Sequence, residues 1–255
     1  MTKTIKLVEN NAEVFEFLQG AKDKDGVVHK EFQIREMTGE EEEAISKANV
    51  KNNGGKVIRT ILERCITHIG TMTPKTEGQA QWREMIQHLA VGDQDIALLK
   101  IREETLGEEL EVSHGCPSCG QELTTILNTN ELEIIPYNGK EVMDFELPKG
   151  YVDNKGELHK FGTIRYPNGL DREMLSQMVK NNTGMANTML LTRCIEKFEG
   201  LPSYDQVIRK LSIRDREYLV TLLKENEFGI SLETEVICTS CGHAFSGNLN
   251  TSNFI

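Results

Sequence analysis

Cys116-Pro117-Ser118-Cys119-Gly120 and Cys238-Thr239-Ser240-Cys241-Gly242 are two copies of one C-x-x-C-G knuckle, 122 residues apart. Structural zinc takes four ligands in a tetrahedron, and a single knuckle supplies two thiolates. The pair therefore predicts a chain that folds back on itself and is pinned by metal.

The spacing of 122 extends outward from the cysteines. Asp93 answers Asp215, Gly107 answers Gly229, and Leu127-Asn128-Thr129 answers Leu249-Asn250-Thr251; between 93–130 and 215–252, 12 of 38 positions are identical without a gap. Further upstream the offset becomes 129 (Arg64-Cys65-Ile66 with Arg193-Cys194-Ile195) and then 130 (His29-Lys30 with His159-Lys160, Ile34-Arg35 with Ile164-Arg165). The slip places seven extra residues near 71–79, a polar stretch that reads as a loop. Ordered matches over both halves predict a tandem duplication, with a first repeat over 1–130 and a second over 131–255, each of ordinary domain size.

Each repeat opens on β-like text: Thr4 to Val8, Val14 to Leu18 and Val27 to Arg35 in the first, Phe145-Glu146-Leu147 and Leu158 to Arg165 in the second. Asp23-Lys24-Asp25-Gly26 and Asp153-Asn154-Lys155-Gly156 are turn signals between strands. Helices follow. Thr38 and Glu41 suit a capping box, and the run Glu40 to Glu43 reads as a solvated helical face. Val57, Ile58, Ile61, Leu62, Cys65, Ile66 and Ile69 recur at helical spacing, as do Leu190, Leu191, Cys194, Ile195 and Phe198. Cys65 and Cys194 inside these stripes read as small core residues. A third helix carries Trp82, Met85, Ile86 and Leu89, matched by Tyr204, Val207, Ile208 and Leu211. A fourth starts at Asp93 or Asp215 as N-cap and ends at Gly107 or Gly229. Each repeat closes as a β-hairpin with a knuckle at its tip. The expected class is α+β: an N-terminal β-hairpin region, a helical middle and a C-terminal zinc-knuckle hairpin, twice.

Three chemistries fit the knuckles. They can share one zinc through Cys116, Cys119, Cys238 and Cys241, forming one zinc ribbon with one structural ion per chain. Each can instead recruit a local histidine, His114 or His243. Or they can be redox dithiols, although such motifs open a helix and these lie between strands. The shared site is the simplest, and four thiolates leave no open position for substrate.

The net charge of −11 and the acidic knuckle flanks (Glu108, Glu109, Glu111, Glu233, Glu235) disfavour nucleic acid, which needs clustered Lys and Arg. No apolar run is long enough for a membrane span, and the N-terminus lacks a signal-peptide pattern, so a reducing cytoplasm is expected. No P-loop, dinucleotide fingerprint, nucleophile elbow or H-E-x-x-H motif occurs. His29 and His159 repeat without a repeated nucleophile or carboxylate partner, so no enzyme and no small-molecule substrate are expected.

Leu147-Pro148-Lys149-Gly150-Tyr151-Val152-Asp153, the helix Arg214-Asp215-Arg216-Glu217-Tyr218-Leu219 and the closing Cys238-Thr-Ser-Cys241-Gly242-His243-Ala244-Phe245 resemble the T-even-type phage baseplate hub assembly chaperone family. The likeness is clearest over 143–246, and a weaker version covers 14–127, where Phe17-Leu18-Gln19-Gly20 replaces the Leu-Pro-Lys-Gly opening. The resemblance implies a non-enzymatic protein that binds phage tail or baseplate hub proteins as chaperone or structural adaptor. It implies action in the host cytoplasm during assembly and leaves retention in the virion open. The alternative is a zinc-ribbon module associated with nucleic acid or transcription.

Overall fold

Alternating apolar residues in the opening text of each half build a three-stranded antiparallel sheet. The computed structural model describes residues 13–178, 182–201 and 205–249; the strand expected at 4–8 and Tyr204 lie outside them. The chain runs β1 (Phe15–Lys22), β2 (Val28–Ile34), α1 (Gly39–Ile45), α2 (Ala48–Lys51), α3 (Gly54–Cys65), β3 (Ile66–Ile69), α4 (Pro74–Glu77), α5 (Gln79–His88), α6 (Val91–Leu106), β4 (Glu109–Gly115) and β5 (Glu122–Asn128). It continues through β6 (Ile134–Ile135), β7 (Val142–Val152), β8 (Leu158–Arg165), α7 (Gly169–Leu175), α8 (Thr183–Cys194), β9 (Ile195–Phe198), α9 (Asp205–Lys210), α10 (Ile213–Glu225), β10 (Gly229–Ile230), β11 (Glu233–Ile237) and β12 (Ala244–Asn248).

The sheets β1-β2-β3 and β7-β8-β9 have the same order, the same antiparallel sense and the same irregularity. Phe15 pairs with Phe32 and Phe145 with Gly162; the register then slips between Glu16 and Ala21, and between Glu146 and Tyr151. Each bulge is held by an aspartate from a later helix. Asp93 accepts backbone amides of Leu18, Gln19 and Gly20, and Asp215 accepts that of Lys149. These aspartates are not the N-caps expected from the sequence. The caps are Ala90 and Ser212, and Asp93 and Asp215 stand three residues inside, where the carboxylate is free to reach another element.

Three further expectations change in the folded chain. The apolar stripes continue past their helices: Ile66, Ile69, Ile195 and Phe198 lie in β3 and β9, which pair with β2 and β8. The polar stretch near 71–79 contains the helical turn α4, closed by a Thr73–Thr76 capping box. Gly107 ends α6 as expected, but α10 ends at Asn226, and Gly229 lies in β10.

The first core gathers Phe17, Phe32, Ile61, Leu62, Cys65 and Trp82, with Phe17 and Phe32 stacked at 4.2 Å. Trp82 is fully buried and its indole N–H donates to the Glu63 carbonyl, so no polar atom is stranded. The second core contains Phe145, Leu147, Leu191, Cys194, Phe198 and Leu219. The halves are not separate bodies. Residues Gly92 to Leu99 of α6 are buried on all sides, Ile230 and Leu249 join the first core, and β6 pairs with β10. Gly92 and Gly229 meet backbone to backbone; a Cβ on Gly92 would fall 2.1 Å from the Phe228 carbonyl oxygen. Among the described residues no helix is long and apolar enough to cross a membrane.

Candidate metal centre

Both knuckle hairpins rest on the same side of the molecule. β4 alternates exposed and buried residues, with Leu110, Val112 and His114 facing inward, and it pairs with β5 along its full length. The Arg102 guanidinium donates to the Gly107 and Glu109 carbonyls, which ties the end of α6 to the start of β4. β11 pairs with β12 in the same manner, burying Val236. The hairpins meet where the His114 ring lies against Gly247; a Cβ there would be 2.7 Å from ring Cε1.

The two tips turn alike. The Cys116 amide donates to the Gln121 carbonyl and the Gly120 amide to the Cys116 carbonyl; the Cys238 amide donates to His243 and the Gly242 amide to Cys238. Gly120 and Gly242 adopt φ of 74° and 72°, a left-handed turn that suits glycine. In each knuckle the first cysteine is buried and the second exposed.

The four thiols converge. Every pair of sulfurs lies within 4.8 Å. Cys116 Sγ is 3.8 Å from Cys241 Sγ, and Cys119 Sγ is 3.7 Å from Cys238 Sγ. A tetrahedron with metal–sulfur bonds of about 2.3 Å has edges of about 3.8 Å, whereas a disulfide needs about 2.05 Å. The cluster is thus compatible with a metal site and is not cross-linked. The first cysteine of each knuckle faces the second of the other, the exchange a local twofold produces.

Such crowding disturbs the thiols. Burial opposes ionisation of Cys238, but the Cys241 and Ser240 amides and the Cys241 and Cys116 thiols outweigh it and bring its pKa down to about 7. For Cys119 the Gln121 backbone favours the thiolate, but the thiols of Cys241 and Cys116 push the pKa up to about 12. Four sulfurs this close cannot all ionise unless a cation neutralises them.

His114 and His243 are not in the sulfur group. His114 is buried with Nε2 lacking a hydrogen-bond partner, and His243 stacks on Phe245. Cys65 and Cys194 lie fully buried in the two cores, where desolvation pushes their thiols up to about 11 and about 12. That environment suits packing and suppresses thiolate chemistry.

Sequence reading missed a second pair of charged clusters. Glu41, expected on a solvated face, is fully buried. It accepts from Arg35 and Arg64 at 2.8 Å and from the Thr38 amide and hydroxyl, while Glu40, Glu42 and Glu43 remain exposed. Asp171 does the same in the second half, between Arg165 and Arg193 and behind the N-cap Asn168. The repeated Arg35/Arg165 and Arg64/Arg193 were the available signal, because repeated arginines beside apolar stripes need a buried acid.

A family model described as T4 bacteriophage base plate protein matches residues 21–201, more than two thirds of the chain. The match runs through the first knuckle and ends before the second, so it lies further toward the N-terminus than the likeness over 143–246. No curated protein and no solved structure matches significantly.

Proposed function

The chain belongs to the T4 bacteriophage base plate protein family, and from that premise we propose that it is a non-enzymatic assembly protein. It would act in the host cytoplasm as a chaperone or structural adaptor, binding tail or baseplate hub proteins. A structural zinc held by Cys116, Cys119, Cys238 and Cys241 would fix its two halves in one orientation. The observation that carries this reading is the convergence of those four sulfurs, two from each half, at tetrahedral spacing. Zinc fits an all-thiolate tetrahedron best among common cytoplasmic cations. Closed by four sulfurs, the ion would have no position for substrate and would act only as a staple.

We also read 1–130 and 131–255 as two copies of one unit. Matching sheet registers, matching aspartate clamps and matching Arg–acid–Arg clusters support that reading. The acidic charge and the acidic knuckle flanks favour a protein partner over nucleic acid.

Co-expression with phage tail and baseplate hub proteins tests the function. Co-purification with one of them is expected, weakening when the zinc is chelated. Failure to associate with any of them would overturn it, as would tight binding to nucleic acid that falls steeply with salt.

A further inference from the structure

Asp153, Glu157 and His159 at the β7–β8 turn place one donor atom each within 4.8 Å of one another. Acidic turns are common, but this one contains a buried imidazole with one ring nitrogen lacking a hydrogen-bond partner. His159 is 7% exposed, and its ring Nδ1 lies 3.0 Å from the Glu199 carbonyl oxygen. A carbonyl only accepts, so Nδ1 carries a proton and Nε2 is the ring atom left to meet a further partner. Nε2 is buried without a hydrogen-bond partner and faces Asp153 Oδ2 at 3.5 Å. Nε2 and the Asp153 carboxylate thus face each other without a hydrogen bond, with the Glu157 carboxylate alongside.

The surroundings hold these groups in place. Asp153 Oδ1 accepts the Lys155 and Glu157 amides at 2.8 and 2.9 Å, which leaves Oδ2 directed at the histidine. The ring is seated against Gly200, where a Cβ would fall 2.6 Å from Nδ1. A metal-bound histidine characteristically donates its other N–H to a carbonyl or carboxylate, which fixes tautomer and orientation.

The first half supplies an internal contrast. At the equivalent turn Asp23 Oδ2 meets His29 Nε2 at 2.9 Å, an ordinary hydrogen-bonded pair, and Val27 stands where the second half has Glu157. That turn has two donors and a closed contact; the second has three donors and a gap.

We propose that Asp153, Glu157 and His159 form a second cation site, separate from the cysteines, for a divalent first-row transition metal. One imidazole nitrogen with two carboxylates suits such ions better than Mg²⁺ or Ca²⁺, which favour oxygen alone. Solvent would complete the coordination, since Glu157 is exposed. The site would lock the β7–β8 turn, and the proposal does not depend on the assembly role.

The test uses the full chain with its cysteine site already loaded with zinc, titrated with Co²⁺ by calorimetry and visible absorption. One further equivalent should bind, without sulfur-to-cobalt charge transfer. Glu157→Gln should weaken it at least ~10-fold, since even outer partners of metal ligands change affinity by about 10–100-fold. Glu146→Gln, which removes an exposed carboxylate of β7 away from the turn, should leave the affinity unchanged. Unaltered melting temperatures of both variants before cobalt is added would separate loss of binding from loss of fold. Absence of a further equivalent overturns the proposal. Equal affinity in Glu157→Gln, or equal loss in Glu146→Gln, also overturns it.

Discussion

In the first half Glu41 lies between Arg35 and Arg64; in the second, Asp171 lies between Arg165 and Arg193, 130 or 129 residues further along. Both acids are fully buried. Their arginines differ: Arg35 and Arg64 side chains are 38% and 37% exposed, Arg165 and Arg193 23% and 26%. Aspartate is one methylene shorter, so it holds its partners closer to the core. The same charge pattern is therefore less screened in the second half, and its loss should matter more there. Elsewhere the contrast recurs: Asp93 clamps three amides and Asp215 one, and the Asp153 turn has a third donor where the Asp23 turn has valine.

The largest expected effect concerns what the halves share. If one ion joins them, Cys116→Ser and Cys238→Ser should cause the same fall in melting temperature, and the double variant should fall no further. Metal analysis after dialysis should find one thiolate-bound zinc per wild-type chain and none in either variant. Structural zinc contributes about 10–16 kcal/mol in isolated fingers; a staple between already packed halves should contribute less, on the order of several kcal/mol. Two thiolate-bound zincs per chain would break the shared site.

Next come the buried acids. Removing one partner from a buried pair costs about 3–5 kcal/mol. Asp171→Asn should fall within that range, and Glu41→Gln about 1 kcal/mol below it because its arginines are better solvated. Denaturant melts would check the order, and the reverse order would refute the argument from depth. Hydrogen bonds from Arg35 hold the Glu41 carboxyl well below the usual range. Burial alone would raise Asp171, but Arg165 and Arg193 outweigh it and lower it. Both folded values lie below the unfolded ones, so their stabilisation is complete above pH ~4.5 and is lost as pH falls below that. A melting series from pH 7 to 3 should show the loss, flattened in the double variant.

The clamps should differ more modestly. Asp93→Ala strands three amides and should cost about 3 kcal/mol, Asp215→Ala about 1.5 kcal/mol. Hydrogen exchange at Leu18, Gln19 and Gly20 should rise selectively in the first. The smallest effect is a gain. Val27→Glu gives the first half the third donor of the second and should add weak cobalt binding with little change in stability.

Much of this was legible because local chemistry repeats with local spacing. The Thr38–Glu41 capping box, the turns at Asp23 and Asp153, the α3 and α8 stripes and both knuckle hairpins formed close to where alternation, caps and glycines placed them. What escaped depended on partners far along the chain. The Glu40 to Glu43 run gives no sign that its second member meets Arg64, 23 residues away. Asp93 resembles an N-cap until β1, 75 residues earlier, is seen to need its oxygen atoms. Ile66 continues a helical stripe by spacing, and only pairing with β2 makes it a strand.

By itself the sequence determined the α+β element types, the absence of a long apolar span and the two matched C-x-x-C pairs, because these rest on residue chemistry and short-range periodicity. Only the tertiary structure decided that Cys116 faces Cys241 and Cys119 faces Cys238, that Ile230 and Leu249 join the first core, and that His159 turns Nε2 toward Asp153. The reason is physical. Which groups lose water and which then face one another is settled by contacts between separate elements, for the cysteines more than a hundred residues apart, and no local pattern encodes that choice.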